Sequence, residues 1–358
     1  MGLPREIEDE LVRLSDTYEF IKLSDKGANG YLFIAHNRVL DRPVAIKFYY
    51  WGDGVRAHIE PKSLAQIGSP SVIQVLDASL VSDEWALFVT PFFENGDLDR
   101  YMETHRFGLR ESLRFASDLL HGVAAMHEQG FVHRDLKPEN LLVSDNGSPL
   151  IADFGSVRLI PSGDTDVPGS GHAVLFRPPE SFQTGRYDRR GDLYQCGVVL
   201  FQILGGRLSY SGIDYLSGPE RKRYSEMTDE FDRSRLIDDA IRSKVCAGRL
   251  IDLKSLPFFV PQSARRIISR ATALQPSHRF ATASEFMNAL STIVLRVVDW
   301  RFEDAYPIAH GNGCRLRIER IGTEYVVQQD RGSGWRRLSG SVPGSLAGAV
   351  KVVGDHIL

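Results

Sequence analysis

The run His133-Arg134-Asp135-Leu136-Lys137-Pro138-Glu139-Asn140 constrains this chain more than any other, because it sets a carboxylate and a carboxamide five residues apart. An Asp held in a loop accepts a proton from an attacking hydroxyl, and an Asn further along ligates Mg²⁺. Thirteen residues beyond Asn140 comes Asp153-Phe154-Gly155, a second carboxylate suited to a metal that bridges phosphates. Either run alone arises by chance; both, in this order and at this distance, are strong evidence for one site.

A chain of 358 residues buries a large core and has room for two or three domains. Its formal charge of −3 argues against a chain built to coat nucleic acid or anionic membrane. Cys196, Cys246 and Cys314 are odd in number and far apart, which fits a reducing compartment and gives no zinc site. Met1 to Phe20 is too rich in Glu, Asp and Arg for a secretory signal. Gly197 to Leu204 is apolar but short, as a buried core helix is, and no run has the length of a membrane span. A soluble, cytoplasmic protein is expected.

Along the chain, Ile7, Leu11 and Leu14 share one face of a short amphipathic helix. Strands are predicted at Phe20–Leu23, Tyr31–Ala35, Val44–Phe48, Val72–Asp77 and Ala86–Thr90. Helical periodicity follows, strongest at Leu113–Glu128 and Asp192–Leu204. After about Leu295 the pattern changes again. Strands are predicted at Arg315–Ile321, Glu324–Gln329 and Trp335–Leu338, and Ser345 is a helix N-cap before Leu346, Val350, Val353 and Ile357.

The eight-residue run and the Asp-Phe-Gly that follows resemble the catalytic core of eukaryotic-type (Hanks-type) protein kinases, and Lys137 matches the Ser/Thr branch. The resemblance extends over roughly residues 18 to 296. It implies an α+β, two-lobed fold with a β-rich N-lobe (about 18–93) and a helical C-lobe (about 94–296). A leader helix (1–17) precedes it, and a small β-β-β-α accessory module (297–358) follows.

The resemblance also assigns roles, with ATP and Mg²⁺ as cofactors. Gly27 and Gly30 take the second and third positions of a phosphate-covering loop, while Asp25 replaces the first glycine. Lys47 is the cation for the α- and β-phosphates, and Glu60 is the candidate to orient it. Pro61 follows directly, and proline is tolerated only in a helix's first turn, so that helix starts near Glu60 and is short. Ala45, Thr90, Phe92 and Phe93 surround the adenine, with Thr90 limiting access behind it, and Asp97 meets the ribose. Thr90, Phe92 and Phe93 read equally well as plain core residues without the resemblance. Asp135 is the base for the substrate hydroxyl, Lys137 stabilises the transferred group, and Asn140 and Asp153 hold the metal.

Further support comes downstream. Pro178-Pro179-Glu180 ends an activation segment, Asp192 braces the catalytic loop, and Arg279 pairs with Glu180. Ala173 replaces a Thr that contacts the catalytic Asp, and Phe176 replaces a Tyr. Arg134 is expected to meet an activation-loop phosphate on Thr165 or Ser170, with Ser162 behind them; Asp164 and Asp166 are the alternative source of negative charge. Glu139 is a candidate reader of basic substrate residues.

The implied activity is phosphoryl transfer from ATP to Ser or Thr of protein substrates, autophosphorylation included. Two alternatives stand beside it: a nucleotide-binding pseudokinase scaffold and a kinase-like enzyme acting on a small molecule. In the C-terminal module Arg315, Arg317, Arg320, Arg336 and Arg337 are nearly balanced by Glu319, Glu324 and Asp330, so a protein partner or self-packing is favoured over nucleic acid.

Overall fold

The computed structural model describes residues 2–27, 30–51, 59–169, 174–304, 306–339 and 344–358. The N-lobe holds α1 (Arg5–Leu14), β1 (Tyr18–Gly27), β2 (Gly30–Asn37), β3 (Arg42–Tyr50), α2 (Ile59–Gln66), β4 (Asp77–Leu80) and β5 (Trp85–Pro91). Its strands form one antiparallel sheet in the order β1-β2-β3-β5-β4. Alternation along β3 sends Val44, Ile46 and Phe48 to one face, where they pack with Phe33, Ala35, Leu87 and Val89. Ile7 of α1 is fully buried in the same cluster, and Leu11 and Leu14 lie against it, so the leader helix closes the outer face of the N-lobe sheet. The opposite face presents Ala45 and Lys47.

Gly30 is held to glycine by packing, because a Cβ there would collide with the Phe48 carbonyl across the β2–β3 ladder. The strand expected at Val72–Asp77 is not formed. Val72 makes only an isolated bridge to Ile151 of the C-lobe, and β4 begins at Asp77. The apolar Val72 and Ile73 are buried in the core shared by the two lobes, which explains their strand-like composition.

The C-lobe carries α3 (Leu98–Thr104), α4 (Leu109–Glu128), β6 (Phe131–Val132), β7 (Leu141–Val143), β8 (Pro149–Ile151), β9 (Arg158–Leu159), β10 (Val167–Pro168), α5 (Pro179–Thr184) and β11 (Arg186–Tyr187). It continues with α6 (Arg189–Ile203), α7 (Gly218–Glu226), α8 (Glu230–Cys246), α9 (Gln262–Ala271) and α10 (Ala283–Val294). Helix α6 is buried on nearly every side and is therefore central. The charged stretch before Ser255 forms α7, which buries nothing, and α8, which buries only Ala240, Ile241 and Val245. Among the described residues no helix is long and apolar enough to cross a membrane.

The C-terminal module is larger than the expected β-β-β-α. It has β12 (Asp299–Glu303), β13 (Tyr306–Gly311), β14 (Cys314–Ile321), β15 (Glu324–Asp330), β16 (Arg336–Arg337) and α11 (Leu346–Ile357). The five strands form an antiparallel meander in chain order. Helix α11 covers one face, and the Ser345 hydroxyl caps it by accepting from the Gly348 N–H at 3.1 Å. The added strands fasten the module to the C-lobe. Trp300 of β12 stacks on Phe259 and meets Phe258 edge-on, both at centroid distances below 6 Å (5.7 and 5.6 Å). Arg110 of α4 donates from Nε and Nη2 to the Val297 carbonyl at 3.0 and 2.7 Å. Gly108 allows the close approach, because a Cβ would strike the Trp300 carbonyl. On the outer face Arg315 pairs with Glu303 and Asp330, and Arg317 with Glu319.

Candidate active site

Two small two-stranded sheets, β6–β9 and β7–β8, place the candidate side chains. The catalytic loop leaves β6 and ends in a 3₁₀ turn, Pro138–Asn140, that runs directly into β7. β7 pairs with β8, and Asp153 follows β8 after one residue. The Ala152 N–H donates to the Asn140 carbonyl at 3.0 Å, so the two candidate metal ligands are fixed on neighbouring backbone.

Asp135 is buried at the centre of this loop. Its Oδ2 accepts from Asn140 Nδ2 at 3.0 Å and lies 3.9 Å from Lys137 Nζ. Its Oδ1 is buried and has no hydrogen-bond partner among the described residues. An unpartnered buried carboxylate oxygen is costly unless an incoming donor uses it. Burial raises the Asp135 pKa above the ordinary carboxylate value, while Lys137, His133 and the Asn140 hydrogen bond oppose the rise.

Asn140 Nδ2 also donates to the Asp135 carbonyl at 2.7 Å, which turns its Oδ1 away from the loop. Asp153 sits in the left-handed region at φ 54° with its carboxylate exposed and only a long contact, 3.4 Å, to the Gly155 N–H. Such backbone costs about 1–2 kcal/mol in a non-glycine residue and here aims the carboxylate outward. These are hard oxygen donors of the kind Mg²⁺ takes. Among the described residues no group of three or more His, Cys, Asp or Glu forms a metal cluster.

In the N-lobe, Lys47 Nζ donates to both oxygens of Glu60, at 2.8 and 2.9 Å. Pro61 lies in the first turn of α2, an eight-residue helix, as the sequence required. Ala45 and Thr90 are directly opposed on β3 and β5. Thr90 is buried, and Phe92 and Phe93 are half-buried at the connection between lobes. Asp97 is the N-cap of α3 and accepts from the Arg100 N–H at 2.9 Å. Gly27 and Gly30 pair across the loop mouth, whose tip at 28–29 lies outside the described residues, as do Ser170 and Ala173.

The loop is held from beneath. The Asp192 carboxylate, almost wholly buried, accepts from the His133 and Arg134 N–H groups (both 2.9 Å), His127 Nε2 (2.8 Å) and the Tyr187 hydroxyl (2.8 Å). Burial pushes its pKa up, but the His127 hydrogen bond and charge and His133 outweigh it, leaving the carboxyl below its ordinary value. Burial, then the Asp192 charge, pushes the Tyr187 phenol well above its ordinary value, so it remains a donor. Arg279 grips Glu180 through both nitrogens at 2.8 and 2.6 Å, which ties the end of the activation segment to the body of the lobe.

Arg134 differs from expectation. Its guanidinium donates to the Ser156 carbonyl at 2.7 Å and the Pro168 carbonyl at 2.5 Å, holding activation-segment backbone directly. Asp166 pairs with Arg186 instead, where β10 meets β11. Thr165 remains on the described surface beside that pair. Glu139 is exposed; desolvation of its carboxyl by the surrounding protein raises its pKa, a hydrogen bond to its own backbone and Lys137 lower it, and Asp99 adds to the rise.

Comparison with known proteins agrees with this geometry. The family model for the protein kinase domain matches residues 18–290. The serine/threonine-protein kinase PrkC of Bacillus subtilis is 27% identical over 291 residues, covering 78% of this chain and 41% of the relative. PknL of Mycobacterium tuberculosis is 29% identical, covering 68% of this chain and 57% of the relative. The DNA damage-responsive kinase RqkA of Deinococcus radiodurans is 32% identical, over 64% and 36% respectively. The chain spans about half the length of the curated relatives it matches. With the family model matching most of the chain, this chain belongs to the protein kinase family.

Proposed function

We propose that the chain transfers the γ-phosphoryl group of ATP to Ser or Thr hydroxyls of protein substrates, with itself among them. The closed Lys47–Glu60 pair carries this reading, because it was the part of the site most exposed to disruption by Pro61. A pair locked at 2.8 Å presents the Lys47 ammonium at a fixed place for the α- and β-phosphates. ATP with Mg²⁺ supplies the phosphoryl donor and neutralises its charge. Asn140 Oδ1 and the Asp153 carboxylate hold the cation, and Gly27 and Gly30 let backbone approach the phosphates. Ala45, Thr90, Phe92 and Phe93 bound the adenine, and Asp97 faces the ribose.

Asp135 Oδ1 receives the proton of the attacking hydroxyl, and Lys137 Nζ stabilises charge on the transferring group. Lys137 favours Ser and Thr acceptors over Tyr. The packed C-terminal module supports a self-packing role, with the outer face of its sheet left for a protein partner; the ion pairs of Arg315 and Arg317 weigh against nucleic acid.

The test is transfer of labelled phosphate from ATP–Mg²⁺ to the protein itself and to a basic acceptor protein. Asp135→Asn is expected to lower kcat at least ~10³-fold, and Asp153→Asn to abolish metal-dependent transfer. Label on Ser or Thr that vanishes in both variants supports the proposal. Nucleotide binding with no transfer to any protein acceptor would leave a scaffold, and transfer only to small molecules would redirect the substrate class.

A further inference from the structure

Between the catalytic loop and the activation segment lies one buried amide that the motif residues do not account for. Gln195, on α6 and 1% exposed, has four polar partners within hydrogen-bond distance. Its Oε1 accepts from the Leu136 N–H at 2.9 Å, and the Tyr187 hydroxyl oxygen lies 2.9 Å from it, its single hydrogen shared between Gln195 and Asp192. Its Nε2 donates to the Arg134 and Phe176 carbonyls, both at 3.3 Å. The orientation of the amide is fixed chemically, since a backbone N–H only donates and a carbonyl only accepts.

Two of these partners, Arg134 and Leu136, are the residues on either side of Asp135. A third, Phe176, lies in the last turn of the activation segment before Pro178-Pro179-Glu180. The Tyr187 hydroxyl bridges the Gln195 amide to the Asp192 carboxylate, which itself holds the His133 and Arg134 N–H groups. Ala173, where the kinase resemblance has Thr, brings no hydroxyl with which to join segment and base.

We infer that Gln195, steadied by Tyr187, is a positioning residue that brackets Asp135 and couples its placement to the end of the activation segment. The inference rests on the reading of Asp135 as the base. An apolar replacement leaves the Leu136 N–H and two carbonyls without partners in a dry site, so the backbone around Asp135 must move to satisfy them. A displacement of about 1 Å at a reacting group costs on the order of 10²-fold in rate.

The experiment uses the full chain and measures kcat, the ATP dissociation constant and Tm for Gln195→Leu, Tyr187→Phe, the double variant and Ser112→Ala. Ser112 is an equally buried control whose hydroxyl donates to the Gly108 carbonyl at 2.8 Å, with the Ile203 carbonyl at the C-terminal end of α6 3.1 Å away. Gln195→Leu is expected to lose 10- to 100-fold in kcat, with ATP binding within twofold of the parent. Tyr187→Phe loses 3- to 10-fold, and the double variant falls no further than Gln195→Leu alone, as members of one network do. Ser112→Ala lowers Tm and keeps kcat within twofold.

A folded Gln195→Leu protein with kcat within twofold of the parent overturns the inference, as does an equal kcat loss in Ser112→Ala. If Gln195→Leu does not fold, Tyr187→Phe decides: a lowered Tm with unchanged kcat overturns it. A parent chain inactive on every acceptor overturns the phosphotransfer reading instead, and this inference with it.

Discussion

The catalytic loop and the C-terminal module are both fastened to the C-lobe, but by different forces. The loop is a buried polar assembly: Asp192 alone takes four donors, and Gln195 completes the partners around Asp135. The module is joined mainly by apolar surface, with Trp300 wedged against Phe258 and Phe259 in a core continuous with Leu109 and Val260. Hydrogen bonds have direction and fix atoms to fractions of an ångström; apolar burial rewards area and tolerates adjustment. The loop around Asp135 uses the first, and the attachment of the module uses the second.

The sharpest way to break the comparison is Asp192→Ala. Removing the carboxylate strands two N–H groups, an imidazole and a phenol in the interior. The expected cost is about 3–5 kcal/mol of stability and at least ~10²-fold in kcat of the folded fraction. Trp300→Ala should cost a similar 3–5 kcal/mol through lost burial and a residual cavity. Here kcat per folded molecule stays within about twofold. Denaturant melts paired with active-site titration separate the two, and a Trp300→Ala protein with a large kcat defect would show the module shaping the cleft.

Legibility in the sequence followed the same division. The candidate site residues Asp135, Lys137, Asn140 and Asp153 stand out in the sequence because they fall within one short stretch. Glu60 was readable from its spacing and from the limit Pro61 sets on helix position. Gln195 is not, since nothing local marks a residue whose catalytic-loop partners are 59 and 61 positions away. Arg134 was assigned to a phosphate because its charge was visible while the carbonyls that receive it were not. In the module, Asp299-Trp300-Arg301-Phe302-Glu303 alternates as a strand should, but over only five residues beside the end of α10, and β13, with Pro307 and Gly311, carries little signal at all.

A smaller effect sharpens the contrast within the loop itself. Burial raises the Asp135 pKa, so the protonated carboxyl suits the fold better than the ionised one. Stability from this group is therefore full below the ordinary carboxylate pKa and is lost as pH rises through the raised value. In the proposed role of Asp135 as the base, catalysis runs the opposite way, since a base works only when ionised. The acid limb of kcat against pH should lie above the ordinary Asp range near 4. Asp135→Asn should raise Tm by about 1–3 °C at neutral pH, with the gain vanishing below about pH 4. A variant less stable than its parent at neutral pH would mean the ionised carboxylate stabilises the loop.

The mildest perturbation asks whether the module folds as part of the kinase. Ser345→Ala removes the N-cap of α11 and should cost about 1 kcal/mol. Ala349, Val353 and Ile357 of that helix belong to the same core as Trp300 and the C-lobe helices. The loss should therefore move one cooperative transition, by about 1–3 °C in a protein of this size, and leave kcat unchanged. Calorimetry decides. A separate low-temperature transition that shifts alone would mean the apolar junction at Trp300 joins two independently folding bodies. Apolar attachment would then differ from the polar loop in cooperativity as well as in direction.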